Sequence, residues 1–164
     1  MARKSPGTPA VHFLQKNRVN FSSYFYSYLE HGGTSHAARE LGLEEHAVIK
    51  TLIMEDELER ALLILMHGDL DISTRSLGRV SGRKKVVPCS PAAARRQTGY
   101  QVGGISPFGL RKKLPIYMEE TIMSLDYIYI NGGRRGFLVG VGPQEVYRVL
   151  QPLLVRVGII QDRG

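Results

Sequence analysis

The chain has 164 residues, 43% of them hydrophobic and 23% charged, the composition of one globular domain large enough for a real core. It contains no apolar run of about eighteen residues, so no membrane-spanning helix is expected. A single cysteine, Cys89, excludes an internal disulfide and fits a reducing cytoplasm. The 22 Lys+Arg against 15 Asp+Glu leave a net charge of +7.

Residues 1–7 read as a flexible tail, and MARKSPGTPAVHF lacks the apolar segment of a secretory leader. PAVHFLQKNRV places Val11, Leu14 and Val19 at helical spacing. FSSYFYSYLE is aromatic-rich, a strand or the wall of an aromatic-lined pocket. Thr34 or Ser35 is expected to cap a short helix through Ala37, Ala38 and Leu41, ended by Gly42. IKTLIMED and RALLILMHG read as a strand hairpin, DISTRSLGRVSG as a helix and KKVVP as a short strand. In SPAAARRQTG, Ser90 stands at the cap, Pro91 at the first helical position and Gly99 just past the end. A turn, GGISPFG, then leads to a strand near Ile116–Met118. LDYIYINGG and GFLVGVG follow as strands, and PQEVYRVLQPLL as a closing helix. Strands joined by hairpins and interspersed with helices predict an α+β domain with a mixed, largely antiparallel sheet.

Charge is unevenly spread. Glu30 to Glu59 carries eight acids, whereas Ile72 to Met118 carries none and holds ten cations. Arg111, Lys112 and Lys113 follow the Gly103-Gly104 pair, and Arg134 and Arg135 follow Gly132-Gly133. Glycine lets a backbone approach a ligand, and cations beside such turns point to a phosphate-bearing partner or to a solvated surface. Two such turns at strand ends point to a shared concave site, or to two ordinary hairpins. Within AVIKTLIM, Lys50 is a lone cation that shares a face with Val48 and Leu52, while Thr51 shares the other with Ile49 and Ile53. It is either an edge-strand lysine that discourages aggregation or a cation on a pocket wall. The five histidines have no metal-ligand spacing, and nucleophile-elbow and phosphate-loop motifs are missing, so no metal or cofactor is expected. No pair of helices has helix-turn-helix spacing, and DNA is not an expected partner.

The segments TPAVHFLQKNRVNF, AARELGLEEHAVIKTL, RRQTGYQVGGISPFGLRKKLP and IYINGGRRG, in that order, resemble the YbaK/EbsC family, also called the prolyl-tRNA synthetase-associated domain. The resemblance runs from about Thr8 to Leu154, and the form GGISP is similar to the free-standing branch that deacylates cysteinyl-tRNA(Pro). It implies one domain over residues 8–164, with the mixed sheet curled into a pseudo-barrel and helices around it. It implies editing in trans of mischarged tRNA(Pro), with prolyl-tRNA synthetase as a candidate partner and the cytoplasm as the setting. Carried over residue by residue, Lys50, Gly103 and Gly104 are the expected catalytic positions. Tyr26, Thr51, Ile105, Ser106, Asn131 and Gly132 are expected at the substrate, and Arg111, Lys112, Lys113, Arg134 and Arg135 on the tRNA. The backbone amides of Gly103 and Gly104 are expected to hold the substrate carbonyl. Asn131 and Leu138 depart from the family pattern, which holds serine and, in some members, aspartate there. Deacylation of another small amino acid such as alanine, and a non-catalytic RNA-binding module, are the competing readings.

Overall fold

A strand that is apolar at almost every position must be covered on both faces, and ALLILMH is such a strand. In a computed structural model, which describes residues 4–161, Ala61–His67 (β3) is buried along its whole length. Its alternate side chains enter two different cores. Ala61, Leu63 and Leu65 join Leu14, Phe108, Ile130 and Val139 on one face, while Leu62, Ile64 and Met66 join Leu77, Tyr117 and Val155 on the other.

The remaining strands are β1 (Ser22–Phe25), β2 (Val48–Asp56), β4 (Leu70–Ile72), β5 (Val86–Pro88), β6 (Ile116–Glu119), β7 (Ile128–Arg134), β8 (Phe137–Val141), β9 (Leu153–Val155) and β10 (Gly158–Ile160). Eight strands form one sheet in the order β1-β8-β7-β2-β3-β6-β9, with β5 paired to β2, and β10 pairs β4 in a two-stranded ribbon. The β2–β7, β3–β6 and β6–β9 pairings are parallel and the others antiparallel, giving the mixed α+β architecture. The helices are α1 (Pro9–Lys16), α2 (Gly33–Leu41), α3 (Thr74–Ser81), α4 (Pro91–Thr98) and α5 (Pro143–Leu150). None of the described helices is long and apolar enough to cross a membrane.

Local chemistry sets most helix ends. Thr8, Ser73 and Ser90 accept from the backbone N–H three residues on, at 3.1, 3.2 and 3.1 Å. The expectation for α2 was wrong: its cap position is Gly32, with no side-chain cap. Thr34 instead donates to the Glu45 carboxylate at 2.8 Å, a tertiary partner that neighbouring residues do not reveal. The strands β4, β9 and β10 were also not anticipated; each is only three residues long. Part of the expected N-terminal tail, residues 1–3, lies outside the described residues; within the rest, the Ser5 and Ser23 hydroxyls are hydrogen-bonded at 2.6 Å.

Candidate active site

The sheet opens along one edge of β2. On the side away from β3, β7 pairs only with Val48 and Ile49, and β5 only with Met54–Asp56. Between them Cys89 N–H donates to the Ile53 carbonyl at 3.0 Å. By the alternation of an antiparallel ladder, the Thr51 N–H and C=O point into the same gap. A cavity of about 440 Å³ fills it, with Lys50, Thr51 and Ile53 along its floor. Its far wall carries Tyr26, Tyr28 and Asn131 together with Gly103 and Ile105, and its roof is the N-terminal turn of α2, from Gly33 to Ala37.

Two polar groups on that floor are in unusual states. The Thr51 hydroxyl is the one buried side-chain oxygen among the described residues without a hydrogen-bond partner. Burying a hydroxyl unpaired costs on the order of 1–3 kcal/mol. Lys50 is about four-fifths buried, its side chain 19% exposed. Its ammonium donates to the Leu70 carbonyl and lies 3.8 Å from the Asp71 carboxylate. Burial lowers its pKa below the ordinary lysine value, and Asp71, Glu45 and Asp69 pull it partly back. β2 is paired on its outer side only at its two ends, so its edge is open at Lys50, and there the lysine borders the cavity.

The two glycine turns meet. The Asn131 side-chain N–H donates to the Gly103 carbonyl at 3.1 Å, and Arg135 Nε donates to the Val102 carbonyl at 3.0 Å. Gly103 has φ +92°, and a Cβ there would stand 2.6 Å from the Tyr28 hydroxyl. A Cβ on Gly104 would lie 2.9 Å from the Arg135 backbone nitrogen, so the second pair member packs backbone against backbone.

Of the positions singled out in the sequence, Tyr26, Lys50, Thr51, Gly103, Ile105, Asn131 and Arg135 line the cavity. Gly104 does not, and its N–H is spent on the Gln101 carbonyl at 2.8 Å. The expectation that this amide holds a substrate carbonyl is therefore corrected: of the pair, Gly103 is the member at the cavity. Ser106 is fully buried and accepts from Phe108 N–H at 3.2 Å, away from the cavity. Gly132 is buried against the Phe137 ring, its carbonyl accepting from Thr8 at 2.6 Å. Arg111 and Arg135 line a neighbouring cavity, whereas Lys112, Lys113 and Arg134 are exposed and line neither. The α2 turn was missed as a wall; Gly32-Gly33, a third double glycine, was the available signal.

Cys89 also lines the cavity, but burial and then the Glu55 carboxylate push its thiol up to about 11. A thiol held there supplies almost no thiolate near neutral pH.

A model of the aminoacyl-tRNA editing domain family matches residues 32–149, a span that holds β2, the cavity and both glycine turns. An Enterococcus faecalis protein named "Putative Cys-tRNA(Pro)/Cys-tRNA(Cys) deacylase EbsC" is 26% identical over 140 residues, 85% of each chain. Proline–tRNA ligase of Brachyspira hyodysenteriae is 29% identical over 86 residues, 52% of this chain and 15% of the ligase. A crystal structure described as a putative trans-editing enzyme for prolyl tRNA synthetase superposes with a TM-score of 0.80 at 20% identity, covering 94% of this chain and 99% of that one.

Proposed function

Because this chain belongs to the aminoacyl-tRNA editing domain family, we propose that it edits in trans, hydrolysing mischarged tRNA(Pro) and most readily cysteinyl-tRNA(Pro). The observation that carries this reading is the open edge of β2, where Lys50 and Thr51, from opposite faces of the strand, both border one cavity across from the Gly103 turn. The similarity to EbsC, by its name a deacylase of cysteinyl-tRNA, supports the amino acid. The match to part of a proline–tRNA ligase supports prolyl-tRNA synthetase as a partner, and a cytoplasmic setting is consistent with both.

An aminoacyl ester is already activated, so positioning and electrostatics can supply the rate. The Lys50 ammonium binds the ribose and ester oxygens, where negative charge develops. The Thr51 hydroxyl and the Gly103 turn orient the aminoacyl group. A cysteinyl substrate brings its own nucleophile: its sulfur bonds to the carbonyl carbon and the carbon–oxygen bond to the ribose breaks. The ribose oxygen takes up the thiol proton, and a cyclic thiolactone leaves. Cys89 is not required.

Alanyl-tRNA(Pro) is the second reading, kept because Leu138, on the cavity wall at 4% exposure, departs from the aspartate that some members of the family carry there. The deciding experiment compares hydrolysis of cysteinyl- and alanyl-tRNA(Pro) by the wild type and Lys50→Ala. Cysteinyl cleavage that falls more than about tenfold in the variant, or about 1.4 kcal/mol of transition-state stabilisation, supports the proposal. Cleavage of alanyl-tRNA alone moves the protein to the second reading, and cleavage of neither leaves an RNA-binding module.

A further inference from the structure

Beside the first cavity lies a second, of about 500 Å³, lined by Pro91, Ala92, Gln101 and Val102 and by four arginines, Arg95, Arg96, Arg111 and Arg135. No acidic residue lines it. Val102 and Arg135 belong to both cavities, so the two adjoin across a shared wall.

The charges in this wall are uncompensated. Four arginines elsewhere find carboxylates: Arg60 and Arg83 share Asp56 at 2.9 and 2.8 Å, Arg148 holds Glu145 at 2.6 Å, and Arg156 holds Glu120. By contrast, the side chains of Arg95, Arg96 and Arg111 make no hydrogen bond or ion pair with another described residue. The elements beneath them are nevertheless fixed. Arg95 and Arg96 stand on α4, whose start is set by Ser90 and Pro91, and the Arg111 N–H is pinned to the Thr98 carbonyl at 3.0 Å. Arg135 is held by Val102 and lies 4.8 Å above the Tyr28 ring. The field of Arg96 also reaches Cys89 in the first cavity and acts to lower its thiol pKa.

Guanidinium groups present paired donors that fit phosphate oxygens two at a time. Four of them around one acid-free hollow, sharing a wall with a cavity sized for an aminoacyl ribose, fit a nucleic-acid backbone entering that cavity. We infer that the second cavity is a phosphate subsite for the 3′ end of the RNA. Resting on the deacylase reading, it takes the phosphodiester next to the terminal adenosine while the esterified ribose occupies the first cavity. Arg95 and Arg96, which open the RRQTGYQVGGISPFGLRKKLP segment but were not assigned to the tRNA, are then RNA-binding residues.

The test measures binding of a 5′-fluorescent RNA trinucleotide CCA by anisotropy at several salt concentrations. It compares wild type, Arg95→Gln/Arg96→Gln, and Arg75→Gln/Arg79→Gln, which removes the same charge from exposed positions on α3. The first pair is expected to weaken binding by about tenfold or more and to flatten the salt dependence, and the α3 pair to change it by about twofold or less. Inorganic phosphate at equal ionic strength is expected to compete only weakly, which separates an RNA-backbone site from a free-phosphate site. Failure of the wild type to bind CCA, equal losses in both double variants, or strong competition by phosphate overturns the inference. Hydrolysis of aminoacyl-adenosine and aminoacyl-CCA esters separates this inference from the deacylase reading. The advantage of the CCA ester in kcat/KM is expected to shrink about tenfold in Arg95→Gln/Arg96→Gln, mainly through KM. Arginine-dependent CCA binding by a wild type that cleaves neither ester leaves the phosphate subsite standing and sinks the deacylase reading.

Discussion

Asn131 ties the two glycine turns together: its side-chain N–H donates to the Gly103 carbonyl at 3.1 Å, while its oxygen accepts from Gly133 N–H at 2.7 Å and Arg134 N–H at 3.1 Å. Removing the side chain leaves turn amides and a carbonyl unpaired and frees the Gly103 turn from β7. Asn131→Ala is expected to cost about 1–3 kcal/mol in urea unfolding and to lower deacylation as the cavity wall loosens. Asn131→Asp keeps the two acceptor bonds and loses the donor to Gly103. If the strut matters, Asp retains most of the stability yet remains as inactive as Ala.

Thr51 presents the opposite balance. Its hydroxyl is buried and unpaired, so Thr51→Val, which has nearly the same shape, removes a polar group that stabilises nothing in the free protein. Urea unfolding is expected to show unchanged stability or a gain of about 1 kcal/mol. Single-turnover deacylation is expected to fall about tenfold as a transition-state hydrogen bond is lost. A loss of stability without a loss of rate would assign Thr51 to packing.

Lys50 is expected to titrate below the ordinary value of 10.5, because burial disfavours its charged form. Competitive labelling with an amine reagent across pH checks this, with Lys50 reacting at lower pH than a free lysine side chain. Since Asp71 pulls the value back up, Asp71→Asn is expected to lower it further. If the cation is the active form, the catalysed rate above background declines as pH rises through that lowered value, earlier in the Asp71 variant than in the wild type.

His67 makes stability pH-dependent. It is fully buried, stacked on the His46 ring at 3.7 Å, with one nitrogen on the His46 carbonyl and the other on the Thr121 hydroxyl, both at 2.7 Å. The carbonyl can only accept, so Nδ1 donates to it; Nε2 then accepts from Thr121, and the ring is neutral. Burial lowers its pKa from the ordinary 6.5. A depressed folded value means that stability is complete above about pH 6.5 and is lost as pH falls through the folded pKa, because the unfolded chain gains the proton first. Urea midpoints at about pH 7.5 and about pH 5 are expected to differ in the wild type and to converge in His67→Gln.

How much of this was legible in the sequence follows the range of the interactions involved. The α4 boundaries at Ser90, Pro91 and Gly99 were readable because capping is settled within about four residues. The β2–β3 hairpin was readable because only four residues separate two long apolar strands. The α2 cap was not, since Thr34 is claimed by Glu45, eleven residues away. The short strands β9 and β10 were not either: at three residues each they carry no periodic signal, and their partners lie far off in sequence at β6 and β4.

The same division runs through the site. Lys50 was marked by its chemistry, a cation in an apolar strand, and the glycine pairs by theirs. What the cavity is made of was decided by the sheet. β7 leaves β2 after Ile49 and β5 joins it only at Met54, so the gap at Thr51 depends on strands placed some eighty residues after it and thirty-odd after it in the chain. Nor could the sequence say which glycine borders the cavity, because two identical residues differ only in backbone conformation and in what packs behind them. Short-range chemistry identified the residues; the long-range pairing of strands, driven by burial of the two cores, chose which of them share a surface.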